Sequence, residues 1–260
     1  VTRDGKRFAN LISPGRVGDL ALPNRILMSP MTRFRITETG VPKPMNVDYY
    51  TQRASAGLII SETMYVEPRG RQMKLTAGLY SPEQVAGWRK VTDRVHDAGG
   101  RIAMQVLHAG RYAYGPECVA PSPVKSPISP FPPRELDEAG IEKQIADIVT
   151  AAERAREAGY DGVEVMGSEG YFLNQFIVTH TNKRTDRWGG SYENRIRLPV
   201  EVVARVRRAV GADFILIYRL SMIDLIPDGS SWDEVVRLAK AVEAAGATIL
   251  NTGIGWHEAR

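Results

Sequence analysis

Four times in 260 residues an Ala-Gly step stands between a stretch with helical spacing and an apolar run: Ser55-Ala56-Gly57-Leu58, Asp97-Ala98-Gly99-Gly100, Glu157-Ala158-Gly159-Tyr160 and Ala244-Ala245-Gly246-Ala247. Glycine after a helix accepts the left-handed conformation that turns the chain back toward a sheet. The runs that follow are nearly continuous in apolar residues, so both faces of each strand are covered. Strands are expected at 25–30, 58–62, 101–107, 162–166, 214–219 and 248–252. Helices are expected at 46–56, from the Ser81-Pro82 start to Asp97, and at 138–158, 191–210 and 231–245. Strands alternating with helices in this way predict a parallel sheet under a layer of helices.

Two α/β architectures satisfy that pattern, an open doubly wound sheet and a (β/α)8 barrel. No strand is followed by Gly-x-Gly-x-x-Gly, which counts against a dinucleotide-binding sheet. A barrel needs eight units and the sequence supplies about six, so either these residues are the first six units of a barrel in a longer polypeptide, or the sheet is open. Residues 1–24 are rich in turn signals and read as a cap or hairpin ahead of the main fold at 25–260.

Composition narrows the function classes. The net charge of +4 comes from interspersed charges without a basic block, so neither nucleic acid nor membrane is an expected partner. The one cysteine, Cys118, permits no disulfide framework and no metal cluster, which suits a reducing compartment. No apolar run approaches the ~20 residues of a membrane span. The expected location is cytoplasmic.

The densest chemistry lies between Asp161 and Gly190. A short apolar run, Gly162 to Met166, is followed by the turn Gly167-Ser168-Glu169-Gly170 and then Tyr171. A carboxylate and a phenol at the carboxyl end of a buried strand stand where an α/β barrel places reacting groups. The competing reading of the same spacing is a solvated turn glutamate and an amphipathic packing tyrosine. Gln105, inside an apolar strand, requires a polar partner in any reading. The proline-rich stretch 109–135 is long enough to be a functional loop.

Several segments in order resemble the old yellow enzyme family of FMN-dependent reductases. They are Leu27-Met28-Ser29-Pro30-Met31-Thr32, His108-Ala109-Gly110-Arg111, Gly170-Tyr171-Phe172-Leu173-Asn174-Gln175-Phe176, Asn182-Lys183-Arg184-Thr185-Asp186, and Gly189-Gly190-Ser191 through Arg195. The resemblance implies an FMN-holding (β/α)8 barrel. The subgroup it resembles most is the bacterial NADPH-dependent 2,4-dienoyl-CoA reductases, through Val165 to Tyr171, Ile217 to Met222 and Asn251 to Arg260. Enone reductases of the family carry a histidine, and an asparagine or histidine three residues on, before the tyrosine, where they grip a ketone oxygen. Here Met166 and Glu169 hold those positions, and a thioether cannot donate to an oxyanion.

Residue by residue, the resemblance implies that Pro30, Met31, Thr32, Thr63, Gln105 and Arg219 bind the flavin. Tyr171 is implied as proton donor, with His257 and Glu169 completing a relay. Thr181, His257, Glu258, Ala259 and Arg260 are implied to bind an acyl-CoA substrate. A phenol, with a pKa near ~10, is a reluctant acid and needs such neighbours. The resemblance further implies NADPH as ultimate reductant, and a later part of the chain with a 4Fe–4S cluster and FAD- and NADPH-binding domains. Two alternatives stay open: another multidomain reductase of this type, acting on a steroid enone, an unsaturated acid or an amine, or a non-catalytic barrel piece without flavin.

Overall fold

A computed structural model describes residues 8–71 and 73–259. Six parallel strands lie side by side in chain order: β1 (Leu27–Met28), β2 (Leu58–Tyr65), β3 (Ile102–Leu107), β4 (Gly162–Gly167), β5 (Ile215–Ile223) and β6 (Ile249–Ile254). The sheet curls into the first part of a (β/α)8 barrel, as the family resemblance implied, where the alternating pattern alone required a parallel sheet under helices. Its outer face is covered by α1 (Pro44–Thr51), α2 (Pro82–Asp97), α3 (Glu138–Glu157), α4 (Arg197–Val210) and α5 (Trp232–Ala244). Among the described residues, no helix is long and apolar enough to cross a membrane.

The helices start where their caps dictate. Ser81 and Gln84 form a reciprocal capping box with Pro82 at the first helical position, and Ser231 and Glu234 do the same for α5. The apolar faces then meet the sheet through Val91 and Val95 of α2, Ile141, Ile145 and Ile148 of α3, and Val202 and Val206 of α4. A second cluster fills the barrel interior at the amino ends of the strands: Leu58, Ile60, Ala103, Ile215 and Ile217. It is closed by an antiparallel hairpin, Gly15–Val17 against Leu20–Leu22, whose Leu22 is 4% exposed. With that end plugged, the carboxyl ends of the strands are the open side.

The structure departs from the expected elements at definable places. β1 is reduced from 25–30 to a two-residue pairing with β2; as an edge strand bounded by Pro30 it has one neighbour, and Ile26 and Leu27 stay exposed. The 46–56 helix begins at Pro44 and ends at Thr51. The single helix expected over 191–210 is two, Tyr192–Arg195 and α4, because Pro199 cannot donate to the Arg195 carbonyl one turn back. β5 and β6 run past Arg219 and Thr252 to Ile223 and Ile254. The 109–135 loop contains a 3₁₀ turn, Gly110–Tyr112, and a short parallel pairing of Val119–Ala120 with Arg134–Glu135.

Candidate active site

Pro30, Thr32, Thr63, Gln105, Leu107, Met166, Glu169, Tyr171 and Arg219 line one cavity of about 130 Å³ at the carboxyl ends of the strands. Sheet register explains the convergence. Gln105 of β3 stands beside Glu164 of β4, Met166 of β4 beside Arg219 of β5, and Arg219 beside Asn251 of β6. An irregularity in β2 between Ser61 and Met64 shifts its pairing with β3 at the level of Thr63.

The floor is a buried polar chain. Thr63 donates its hydroxyl hydrogen to Gln105 Oε1. Gln105 Nε2 donates to Glu164 Oε2 at 2.7 Å, and Asn251 Nδ2 donates to Glu164 Oε1 at 2.6 Å. Burial raises the Glu164 carboxyl above its ordinary range, opposed by those two amides. Glu164 was absent from the expected site, although a lone carboxylate between Val163 and Val165 is a readable signal of a buried polar partner.

The wall is an ionic and aromatic group. Arg219 donates through Nε and Nη2 to Glu169 Oε1 at 3.0 and 2.7 Å. The other Glu169 oxygen lies 3.7 Å from His257 Nε2. The His257 and Tyr171 rings meet edge to face with centroids 5.0 Å apart, and Tyr112 stands edge to face against Tyr171 at 5.8 Å. Glu169 (φ 60°) and Gly170 (φ 83°) are both left-handed, a conformation costly for the glutamate, and this double turn aims Tyr171. Tyr171 is 8% exposed, whereas His257 is open to solvent. Tyr112 and Trp256, buried beside this pair, were not anticipated from the sequence.

Other expected positions fall elsewhere. Met31 is exposed and its side chain does not line the cavity. Thr181 is buried and donates to the Gln175 carbonyl at 2.7 Å, so its hydroxyl serves a loop and does not reach the mouth. Glu258 is engaged by Arg111 and by Ser126 Oγ at 2.9 Å, which ties the proline-rich loop to the end of β6. With Ala259 it lines a separate hollow of about 530 Å³ beside His180 and Lys125. Arg260 lies outside the described residues. Among the described residues no cluster of His, Cys, Asp and Glu could hold a metal ion.

The donor set suits the edge of a flat heteroaromatic ring such as that of FMN. Thr63 uses one lone pair of Gln105 Oε1, which leaves the other to accept from a ligand, while Nε2 donates to Glu164 and makes only a weak second contact, to Met166 Sδ, that a ligand acceptor can replace. Thr32 and Arg219 add a hydroxyl and a cation, and Pro30, Leu107 and Met166 add apolar surface. Met166 Sδ lies 3.9 Å from Gln105 Nε2 and 3.7 Å from Ser168 Oγ; it accepts weakly and donates nothing.

The model of the NADH:flavin oxidoreductase / NADH oxidase family matches residues 10–260. An NADH oxidase of Thermoanaerobacter brockii is 38% identical over 259 residues, covering 96% of this chain and 40% of the relative. A 2-naphthoyl-CoA reductase in complex with 2-naphthoyl-CoA superposes with a TM-score of 0.93 at 32% identity, covering 97% of this chain and 41% of that one. An old yellow enzyme homologue from Zymomonas mobilis superposes with a TM-score of 0.89 at 36% identity, covering 95% of this chain and 74% of that one. The chain thus spans about two-fifths of the length of the first two. On the family match across residues 10–260, the chain belongs to the NADH:flavin oxidoreductase / NADH oxidase family.

Proposed function

We propose that this chain forms the catalytic barrel of an FMN-dependent reductase of conjugated C=C bonds, acting on 2,4-dienoyl-CoA thioesters. The observation that carries the reading is the Arg219–Glu169–His257–Tyr171 array beside the Thr63–Gln105 floor. Gln105, Thr63, Thr32 and Pro30 would hold the ring edge of FMN, and Arg219 would place positive charge beside it. When bound, the flavin supplies the hydride. Tyr171 delivers the proton to the dienolate, and His257, held near Glu169, resupplies the phenol from solvent. Met166 offers no hydrogen bond to a ketone oxygen, which disfavours simple cyclic enones. Likeness to a protein named as a naphthoyl-CoA reductase supports a CoA thioester as substrate. NADPH as ultimate donor, reaching the flavin through a 4Fe–4S and FAD-bearing part of a longer chain, belongs to the same proposal and rests on the motif resemblance.

The test is rapid mixing of the reduced full-length flavoprotein with a 2,4-dienoyl-CoA, a cyclic enone and a 3-keto-Δ4 steroid in turn. The dienoyl-CoA is expected to reoxidise the flavin fastest. Tyr171→Phe is expected to slow that step by about 10²–10⁴-fold without loss of flavin. Turnover of the steroid with none of the thioester would overturn the substrate assignment.

A further inference from the structure

Asp224 lies just past β5 and is 3% exposed, yet it lines neither the cavity nor the hollow beside it. Its Oδ1 accepts from Ser221 Oγ at 2.6 Å, Trp256 Nε1 at 2.9 Å and Asn174 Nδ2 at 3.4 Å. Its Oδ2 accepts from the Ser230 backbone at 2.7 Å, and its own carbonyl accepts from the Trp256 backbone at 2.9 Å. The donors belong to three different segments. Ser221 and Ser230 bracket the loop after β5, Trp256 sits in the loop after β6, and Asn174 belongs to the helix Phe172–Ile177 after β4.

Two of those donors adjoin the proposed proton-transfer pair. Trp256 immediately precedes His257. Asn174 Oδ1 in turn accepts from the backbone of Gly170 at 3.0 Å, and Gly170 immediately precedes Tyr171. One carboxylate therefore clamps both backbone segments that set where the phenol and the imidazole stand. A buried carboxylate with so many donors is held firmly, and removing it would strand the Trp256 indole N–H.

We propose that Asp224 is a positioning residue that fixes the separation of Tyr171 and His257 by tying the loops after β4 and β6 to the loop after β5. The inference rests on the proton-transfer reading of that pair. Misplacing a reacting group by about 1 Å costs on the order of 10²-fold in rate, so Asp224→Ala is expected to lower flavin reoxidation by the dienoyl-CoA by about that factor. In a Tyr171→Phe background the same substitution is expected to add almost nothing, since it acts through the pair already broken. Trp256→Phe, which removes one donor and leaves the carboxylate satisfied by the others, is expected to share the defect in smaller degree.

Amide hydrogen exchange supplies a readout independent of turnover. Asp224→Ala is expected to speed exchange both at 170–176 and at 255–259 in the full-length flavoprotein. Faster exchange confined to 221–231 would overturn the inference, as would an undiminished kinetic loss in the Tyr171→Phe background. If Asp224→Ala does not accumulate folded, Asp224→Asn, which keeps the shape and weakens the bonds the carboxylate accepts, carries the same measurement: faster exchange at both segments supports the clamp, and unchanged exchange at either one refutes it. If Tyr171→Phe reoxidises at the wild-type rate while exchange at the two segments is coupled, the proton-transfer reading has failed and the clamp stands.

Discussion

Glu62 offers a quantitative test of how this barrel is held. It sits in β2, fully buried, on the side facing α1. Its Oε1 accepts from Tyr50 Oη at 3.3 Å and Asn46 Nδ2 at 3.4 Å, and its Oε2 from the Arg33 backbone at 3.4 Å. These bonds are long, and they do not offset the loss of water. Burial pushes the carboxyl from 4.5 up to about 7 against the opposing pull of Arg33, Tyr50 and Asn46. Because the folded value lies above the unfolded one, the contribution to stability is fully present below pH 4.5 and is lost as pH rises through about 7. At ~1.4 kcal/mol per pH unit, that gap amounts to about 3 kcal/mol. Glu62→Gln keeps the shape and cannot ionise. Urea unfolding of both proteins between pH 4.5 and 8.5 is expected to show the wild type losing about 3 kcal/mol relative to the variant. His96 is present in both and cancels. Parallel stability curves across that range would refute the assignment of a strained buried carboxylate.

Gly170→Ala is expected to destabilise by more than about 1 kcal/mol and to slow flavin reoxidation, because the residue is left-handed and a Cβ there would lie 2.6 Å from Trp256 Cε3; unchanged Tm and unchanged kinetics would count against the aimed-tyrosine geometry. At the plugged end of the barrel, the hydrogen bond that the half-exposed His96 imidazole donates to Asp161 raises it above its ordinary pKa. Its stabilisation is therefore present below about pH 6.5 and lost above, and His96→Ala is expected to narrow the stability gap to wild type as pH rises, by no more than about 1 kcal/mol.

Much of this was legible in the sequence, for reasons that differ by level. The Ala-Gly stops and continuous apolar runs located the strands because helix exit and two-sided burial leave a direct mark on residue choice. The end of β1 and the break at Ile196 were not legible, since an edge strand is set by what pairs beside it and the break by Pro199 acting one turn back. Pro30, Thr32, Thr63, Gln105, Glu169, Tyr171 and Arg219 were gathered by motif, and the structure brings them to one cavity. Thr181 shared the motif stretch, but its hydroxyl is turned inward by the Gln175 carbonyl, a choice no spacing encodes. Glu62, Glu164 and Asp224 carried a signal that went unread: a lone carboxylate in or just past an apolar run demands partners, but only the fold says which.

The strand order has a consequence for how the chain reaches this shape. Each of β2 to β6 pairs with the strand made just before it, and none waits for one made later. During synthesis at roughly 5–20 residues per second, a new strand about every 30–60 residues finds its template already assembled. The growing sheet always displays one fresh edge, and the next unit covers it within roughly 2–12 s. This order permits each unit to be added in turn, with loop-closure costs kept local to it. Slowing translation after a strand would lengthen the life of that bare edge, and with it the time in which a nascent chain can pair with the wrong partner.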